Sequence, residues 1–140
     1  MGKPLIVVLG AGLGGTIASY EIKAAVGDRA EVMTVSDTDT YSFIPSNPWV
    51  AVRWREPEAI QVHLPPVFAK KKIGFTSVGA KRLHVSEKRL ELNDGTSINY
   101  DYLVIATGPD LAFDEIEGLG PHGHTVSICQ TSHAAAPADA

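Results

Sequence analysis

The sequence predicts an α/β fold of three layers, in which a parallel β-sheet and its helices are accompanied by an antiparallel three-stranded meander. Three observations carry this. Leu5 to Leu9 and Tyr102 to Ala106 are continuously apolar rather than alternating, the pattern of strands buried on both faces of a parallel sheet. The first of these runs stops in a glycine cluster and passes into a good helix former, Thr16 to Val26. Later, Lys81 to Val85, Arg89 to Leu92 and Thr96 to Asn99 alternate apolar and polar residues around Asn93-Asp94-Gly95, the signature of tight-turned antiparallel strands.

In chain order, the first strand leads into Gly10, Gly12 and Gly15, which match G-x-G-x-x-G, with Leu13 and an extra Gly14 inside the motif. The three glycines serve in turn for a tight turn, for backbone approach to a pyrophosphate, and for close packing of helix on strand. The helix that starts here aims free N–H groups and the positive end of its dipole at a diphosphate, an anion site with no basic side chain. The glycines alone also fit a flexible loop; their place between strand and helix favours the dinucleotide turn. From about Gly14 to Val26 the helix is expected to bury Ile17, Tyr20 and Ala24, and Gly27 ends it. Glu31 to Ser36 is the second strand, completing a Rossmann-like strand–helix–strand unit. Such units carry an acidic residue about 20 positions after the glycines to hold ribose hydroxyls. Ser36 stands there, with Asp37 next; the alternative is that Asp37 and Asp39 are turn residues only.

Tyr41 to Trp54 combines two prolines and two tryptophans with Phe43 and Asn47, too apolar for a solvated loop and too interrupted by proline for a strand or helix. A flat ring system, the rest of a larger protein, a partner chain or the domain itself could cover it. Glu58 to Leu64 and Pro66 to Lys72 read as short helical pieces divided by Pro65 and Pro66, and Gly74 to Val78 as a third parallel strand. Past Thr107-Gly108-Pro109, Gly118 to His124 is a glycine- and histidine-rich loop and Val126 to Cys129 a candidate short strand. The whole chain, 1–140, reads as a single domain with a disordered tail from about residue 134.

Composition narrows the function. The chain has 140 residues, 44% hydrophobic and 20% charged, with net charge −4 and pI near 5.7, which suits one soluble globular domain. A mildly acidic chain has no electrostatic footprint for nucleic acid. Lys70 to Lys72 is short and reads as a solvated helix end. No stretch approaches a membrane span, no leader pattern is present, and the default location is cytoplasmic. The single cysteine, Cys129, excludes an internal disulfide and a multi-cysteine metal site, and no metal ligands are expected.

Together GAGLGG after the first strand, a meander with a DG turn, and YDYLVIATG resemble the N-terminal part of two-dinucleotide-domain flavoproteins, the pyridine nucleotide-disulfide oxidoreductase family. The resemblance implies FAD as cofactor. By it, Ala106, Thr107 and Gly108 close over the FAD, Val78 and Gly79 meet adenine through main chain, and Pro45 and Asn47 lie on the flavin-covering loop. Within the family, SFIPSNPWV and VSICQTSH look like segments of the sulfide:quinone oxidoreductase branch, and the redox cysteine pair of the disulfide reductases has no counterpart after the second strand.

That branch passes electrons from sulfide through FAD to quinone. Cys129 looks like the first of its cysteines and is a candidate catalytic nucleophile or sulfur carrier, a role that needs the thiolate; the alternative is an inert, half-buried cysteine. His133 is either a nearby proton carrier or a surface histidine. Members of the branch are much longer, so the expectation is a truncated, FAD-binding part incomplete for catalysis alone. Its apolar surface around Phe43, Ile44 and Trp49 would then favour a homo-oligomer. A non-catalytic oligomeric nucleotide-binding module and a small NAD(P)-dependent reductase are the alternatives.

Overall fold

A computed structural model describes residues 2–136. Its elements run β1 (Leu5–Leu9), α1 (Leu13–Val26), β2 (Glu31–Val35), β3 (Thr40–Ser42), α2 (Asn47–Ala51), β4 (Gln61–His63), α3 (Leu64–Lys70), β5 (Gly74–Thr76), β6 (Ala80–His84), β7 (Arg89–Leu92), β8 (Ser97–Asn99), β9 (Tyr102–Ile105) and α4 (Thr131–Ala135). The described residues form two compact units. Among the described residues, 2–41 and 63–108 make the first, and 42–62 and 109–136 the second.

The first unit is the three-layer α/β fold. Its parallel sheet has the order β5-β2-β1-β9, with Leu5 to Leu9 paired residue for residue with Glu31 to Val35 on one side, and Ile6 to Leu9 with Tyr102 to Ile105 on the other. The continuous apolar character of β1 follows from burial on both faces. Val7 and Val35 turn to the meander, where Leu90, Leu92 and Tyr100 complete a core. On the opposite face Ala11 and Val32 meet Leu64, Phe68 and Ile73, with Tyr20 and Phe75 packed against them. Phe68 anchors this layer, stacked on Phe75 at 5.2 Å and edge-on to Tyr20 at 5.8 Å.

The meander is β6-β7-β8, closed between β7 and β8 by Asn93-Asp94-Gly95. Gly95 has φ +84°, and the Asp94 carboxylate accepts the Thr96 N–H at 2.9 Å, so the turn is fixed by a glycine in the left-handed region and a side chain that bonds its own backbone.

Two expectations change in this unit. Helix α1 presents Gly15, Ser19, Ile22 and Val26 inward, whereas Ile17 and Ala24 are exposed. Small residues at Gly15 and Ser19 let the helix approach the sheet, so the inward stripe follows size rather than hydrophobicity. The Ser19 hydroxyl donates to Gly15 O at 2.7 Å and lies 2.8 Å from the Thr34 hydroxyl, which satisfies a buried polar pair between α1 and β2. Second, Pro65 and Pro66 do not divide two helical pieces. They occupy the first turn of α3, where a missing N–H leaves nothing unsatisfied, and β4 precedes them.

The second unit is built on the same use of proline. Pro45 opens a 3₁₀ turn (Ile44–Ser46) and Pro48 opens α2, so the Tyr41 to Trp54 stretch is not irregular as expected. A small core joins Val50, Ile60 and Ala134. Val126 to Cys129 pairs with no strand among the described residues; side-chain hydrogen bonds from Asn47 and Ser127 hold it instead. Ala134 and Ala135 lie in α4, with Ala134 buried, rather than in a disordered tail, and residues 137–140 of that expectation lie outside the described residues.

Candidate dinucleotide-binding site

In the first unit, β1 is flanked by β2 on one side and β9 on the other, so the chain leaves it in opposite directions and the carboxyl ends of these strands form a topological switch point. The glycine turn sits there. Gly10 has φ +106°, its N–H donates to Val35 O at 2.8 Å, and a Cβ on it would run into the carbonyl of Ala106. A Cβ on Gly15 would strike Gly10 O and stand 3.5 Å from the Ala106 side chain. Gly10 and Gly15 are thus required by the protein's own packing, the first for the turn and the second for the helix–turn approach.

Gly12 and Gly14 differ. A Cβ at either would meet nothing within 4 Å, and Gly12, the N-cap of α1, has an ordinary extended backbone at φ −69°, ψ −169°. Helix α1 has no side-chain cap and no acidic residue in its first turn. The Thr16 N–H is the first to close an intrahelical bond, to Gly12 O at 2.9 Å, leaving the amides ahead of it aimed outward with the positive end of the dipole. The geometry is that of an anion site: donors without a capping acceptor, beside open space that any side chain would narrow. Leu13 is 59% exposed over the same mouth.

The other candidates of this unit gather at the same edge. The Ala106 N–H donates to Leu9 O at 2.8 Å, placing Ala106-Thr107-Gly108 beside the glycine turn; Gly108 has φ +75° and open space around it. The β2 and β5 ends are linked by the Ser36 N–H to Thr76 O at 2.9 Å, and Gly79 donates to Ser36 O at 2.8 Å. Gly79 also accepts the Asn93 N–H at 3.1 Å, so both polar groups of its backbone are engaged within the protein. The Val78 N–H approaches Thr76 Oγ1 at 3.4 Å. Ser36 is buried and its hydroxyl accepts the Thr38 N–H at 3.3 Å, while Asp37 is exposed. Of the two residues, Asp37 is the carboxylate that a ligand can reach.

In the second unit, Cys129 is exposed, not half-buried. Pro45 starts the 3₁₀ turn of that unit. Asn47 is fully buried, and its amide is engaged inside the unit: Nδ2 donates to Ile128 O at 2.8 Å and Oδ1 accepts the Thr131 hydroxyl at 3.0 Å. The Asn47 side chain is thus engaged within the unit. His133 lies beside Phe113, ring centroids 6.0 Å apart, with Nδ1 shut from solvent and without a partner among the described residues. An open depression of about 440 Å³ is lined by Arg53 and Arg55 and by Glu56 and Glu58, whose charges offset one another.

The family model for pyridine nucleotide-disulphide oxidoreductases matches residues 4–139. The chain belongs to the pyridine nucleotide-disulphide oxidoreductase family. Among members of this family, the sulfide-quinone reductase of Aquifex aeolicus (strain VF5) is 35% identical over 129 residues, covering 92% of this chain and 29% of that protein. The X-ray structure of the sulfide:quinone oxidoreductase from the same species superposes with a TM-score of 0.83 at 32% identity, covering 95% of this chain and 30% of the other. A NAD-dependent persulfide reductase from A. fulgidus superposes with a TM-score of 0.77 at 28% identity, covering 93% and 26%. The chain therefore spans under a third of the length of these relatives.

The buried Ser19–Thr34 pair and the Asn47 clamp are not legible in local pattern alone. A polar residue at an inward helical position, as Ser19 is, signals the first; nothing local signals the second, since Asn47 and Ile128 are 81 positions apart. No helix among the described residues is long and apolar enough to cross a membrane, and none of their side chains cluster as metal ligands.

Proposed function

We propose that this chain is the FAD-binding part of a flavin-dependent oxidoreductase of the sulfide:quinone type, with the diphosphate of FAD bound at the Gly10 to Gly15 turn. One observation carries the reading: α1 begins with no side-chain cap and no acid, against open space at Gly12 and Gly14. Family membership and the likeness to the Aquifex sulfide-quinone reductase support it.

The residues fit the group. Outward amides of the first turn of α1 hold the diphosphate, Gly12, Leu13 and Gly14 border it, and Asp37, with Ser36 behind it, takes the ribose hydroxyls. Val78 and Gly79 flank the adenine end, where Gly79, its backbone groups engaged by Ser36 and Asn93 and its missing side chain making way for Asn93, shapes the turn rather than donating. Ala106, Thr107 and Gly108 border the turn on its other side. When bound, FAD supplies a two-electron acceptor. Cys129, exposed on the second unit, is the thiol proposed to carry sulfide sulfur in the complete enzyme: joining its thiolate to hydrosulfide as a persulfide releases one proton and two electrons, and a bound FAD would accept the two electrons. Sulfide as donor and quinone as acceptor belong to that complete enzyme, and this chain alone is not expected to turn over.

Absorption spectra of the purified chain with and without added FAD test the reading: flavin bands that stay with the protein on desalting are expected. NADH-dependent turnover of a small carbonyl compound by the chain would overturn it. A second reading, self-association through an apolar face, is favoured by Phe43, Ile44, Trp49 and Trp54, the last 76% exposed. It predicts a mass in solution above that of one chain.

A further inference from the structure

We infer that Asn47 is a positioning residue whose side-chain amide presents the Cys129 thiol. The importance of that presentation rests on the proposed role of Cys129 as sulfur acceptor; the holding itself does not.

The amide reaches both sides of the cysteine. Asn47 Nδ2 donates to the carbonyl of Ile128, the residue before Cys129, at 2.8 Å, and Oδ1 accepts from the hydroxyl of Thr131, the first residue of α4, at 3.0 Å. Between these anchors the Cys129 N–H donates to Ser127 Oγ at 3.2 Å. Asn47 has no exposed surface, and Ser127 and Thr131 are nearly buried, whereas Cys129 is exposed. The segment carries no strand pairing among the described residues, so these side-chain bonds replace the ladder that would otherwise fix its backbone. One buried, doubly bonded amide therefore sets the path of the chain on either side of a thiol open to solvent. A buried amide with one partner removed leaves an unsatisfied polar group, which is why the arrangement holds as a unit.

Because Cys129 is the only cysteine, a nitroxide attached to it reports this one position. In the 140-residue chain the label is expected to give a broad, immobilised spectrum. Asn47→Leu, similar in size but without hydrogen bonds, should shift it to narrow, mobile lines with a rotational correlation time several-fold shorter. Thr131→Val breaks one bond only and should give an intermediate spectrum with the melting transition retained, which decides the matter if Asn47→Leu fails to fold. Asn47→Asp adds a pH-dependent reading, taken where circular dichroism shows the chain folded at both pH values so that general unfolding does not imitate it. At pH 8 its carboxylate faces the Ile128 carbonyl and the label is mobile; at pH 4.5 the protonated acid donates to that carbonyl and immobility returns.

A folded Asn47→Leu or Thr131→Val chain with an unchanged spectrum overturns the inference, as does an Asn47→Asp spectrum independent of pH. Sulfide-dependent reduction of bound flavin that survives Cys129→Ser in a full-length relative would remove the role of the thiol and leave the clamp standing, so the two failures are distinct.

Discussion

Replacing Gly12 by valine separates ligand binding from folding. The residue has extended backbone angles open to any L-amino acid, and a Cβ there meets nothing within 4 Å. The folded chain should therefore lose about 1 kcal/mol or less, the cost of a poorer N-cap. Binding should suffer far more. Valine methyl groups fill the space next to the outward amides of α1, and two charge-assisted hydrogen bonds lost at about 1.5–3 kcal/mol each amount to about 3–6 kcal/mol. At about 1.4 kcal/mol per decade, FAD affinity falls about 10²- to 10⁴-fold. Gly15→Ala is the contrasting control, because its Cβ strikes the Gly10 carbonyl. Overpacking of about 1–3 kcal/mol, at about 4 °C per kcal/mol, lowers its melting temperature visibly. Quenching of FAD fluorescence on titration and a thermal melt read the two effects separately. FAD affinity unchanged in a folded Gly12→Val chain would refute placement of the diphosphate at this turn.

Other outcomes follow from the same geometry. Asp37→Asn should weaken FAD binding more than Ser36→Ala, since only Asp37 is exposed; equal effects in a calorimetric titration would return the ribose contact to Ser36. Phe68→Ala removes the ring shared by Tyr20 and Phe75 and should cost about 3–5 kcal/mol by urea unfolding. Ser19→Ala leaves the buried Thr34 hydroxyl without its partner and should cost about 1–3 kcal/mol in the same assay. On the meander, hydrogen bonds from Lys81 and then His84 hold the Glu91 carboxyl below its ordinary value of 4.5. A lowered folded-state value means stability that is present above 4.5 and lost as pH falls through the folded value. Glu91→Gln should flatten the dependence of the urea midpoint on pH in that acid window, and an unchanged slope would show the pairing to be inert.

The sequence alone determined the α/β class, the glycine turn, the meander and the apolar strands read as Leu5 to Leu9 and Tyr102 to Ala106, because each rests on local pattern: continuous apolar runs, alternation, and glycine or aspartate where a turn requires them. Proline is less legible. Pro45, Pro48, Pro65 and Pro66 look like breaks along the chain, but each enters the first turn of a helix, where the cost of a missing N–H disappears. Hydrophobicity likewise misleads about the inward stripe of α1, since Gly15 and Ser19 face the sheet for their small size and Ile17 does not.

What only the tertiary structure decided concerns residues far apart in sequence. It showed that Gly10 and Gly15 are required by packing against Ala106 and the turn itself, while Gly12 stands before open space, although all three belong to one motif. It engaged the Asn47 amide with Ile128 and Thr131, and brought Cys129 to the surface. Local pattern records what a residue can do with its neighbours along the chain. Which polar atoms are already engaged, and which are left facing solvent, depends on partners more than 80 positions away that only folding brings within hydrogen-bonding distance.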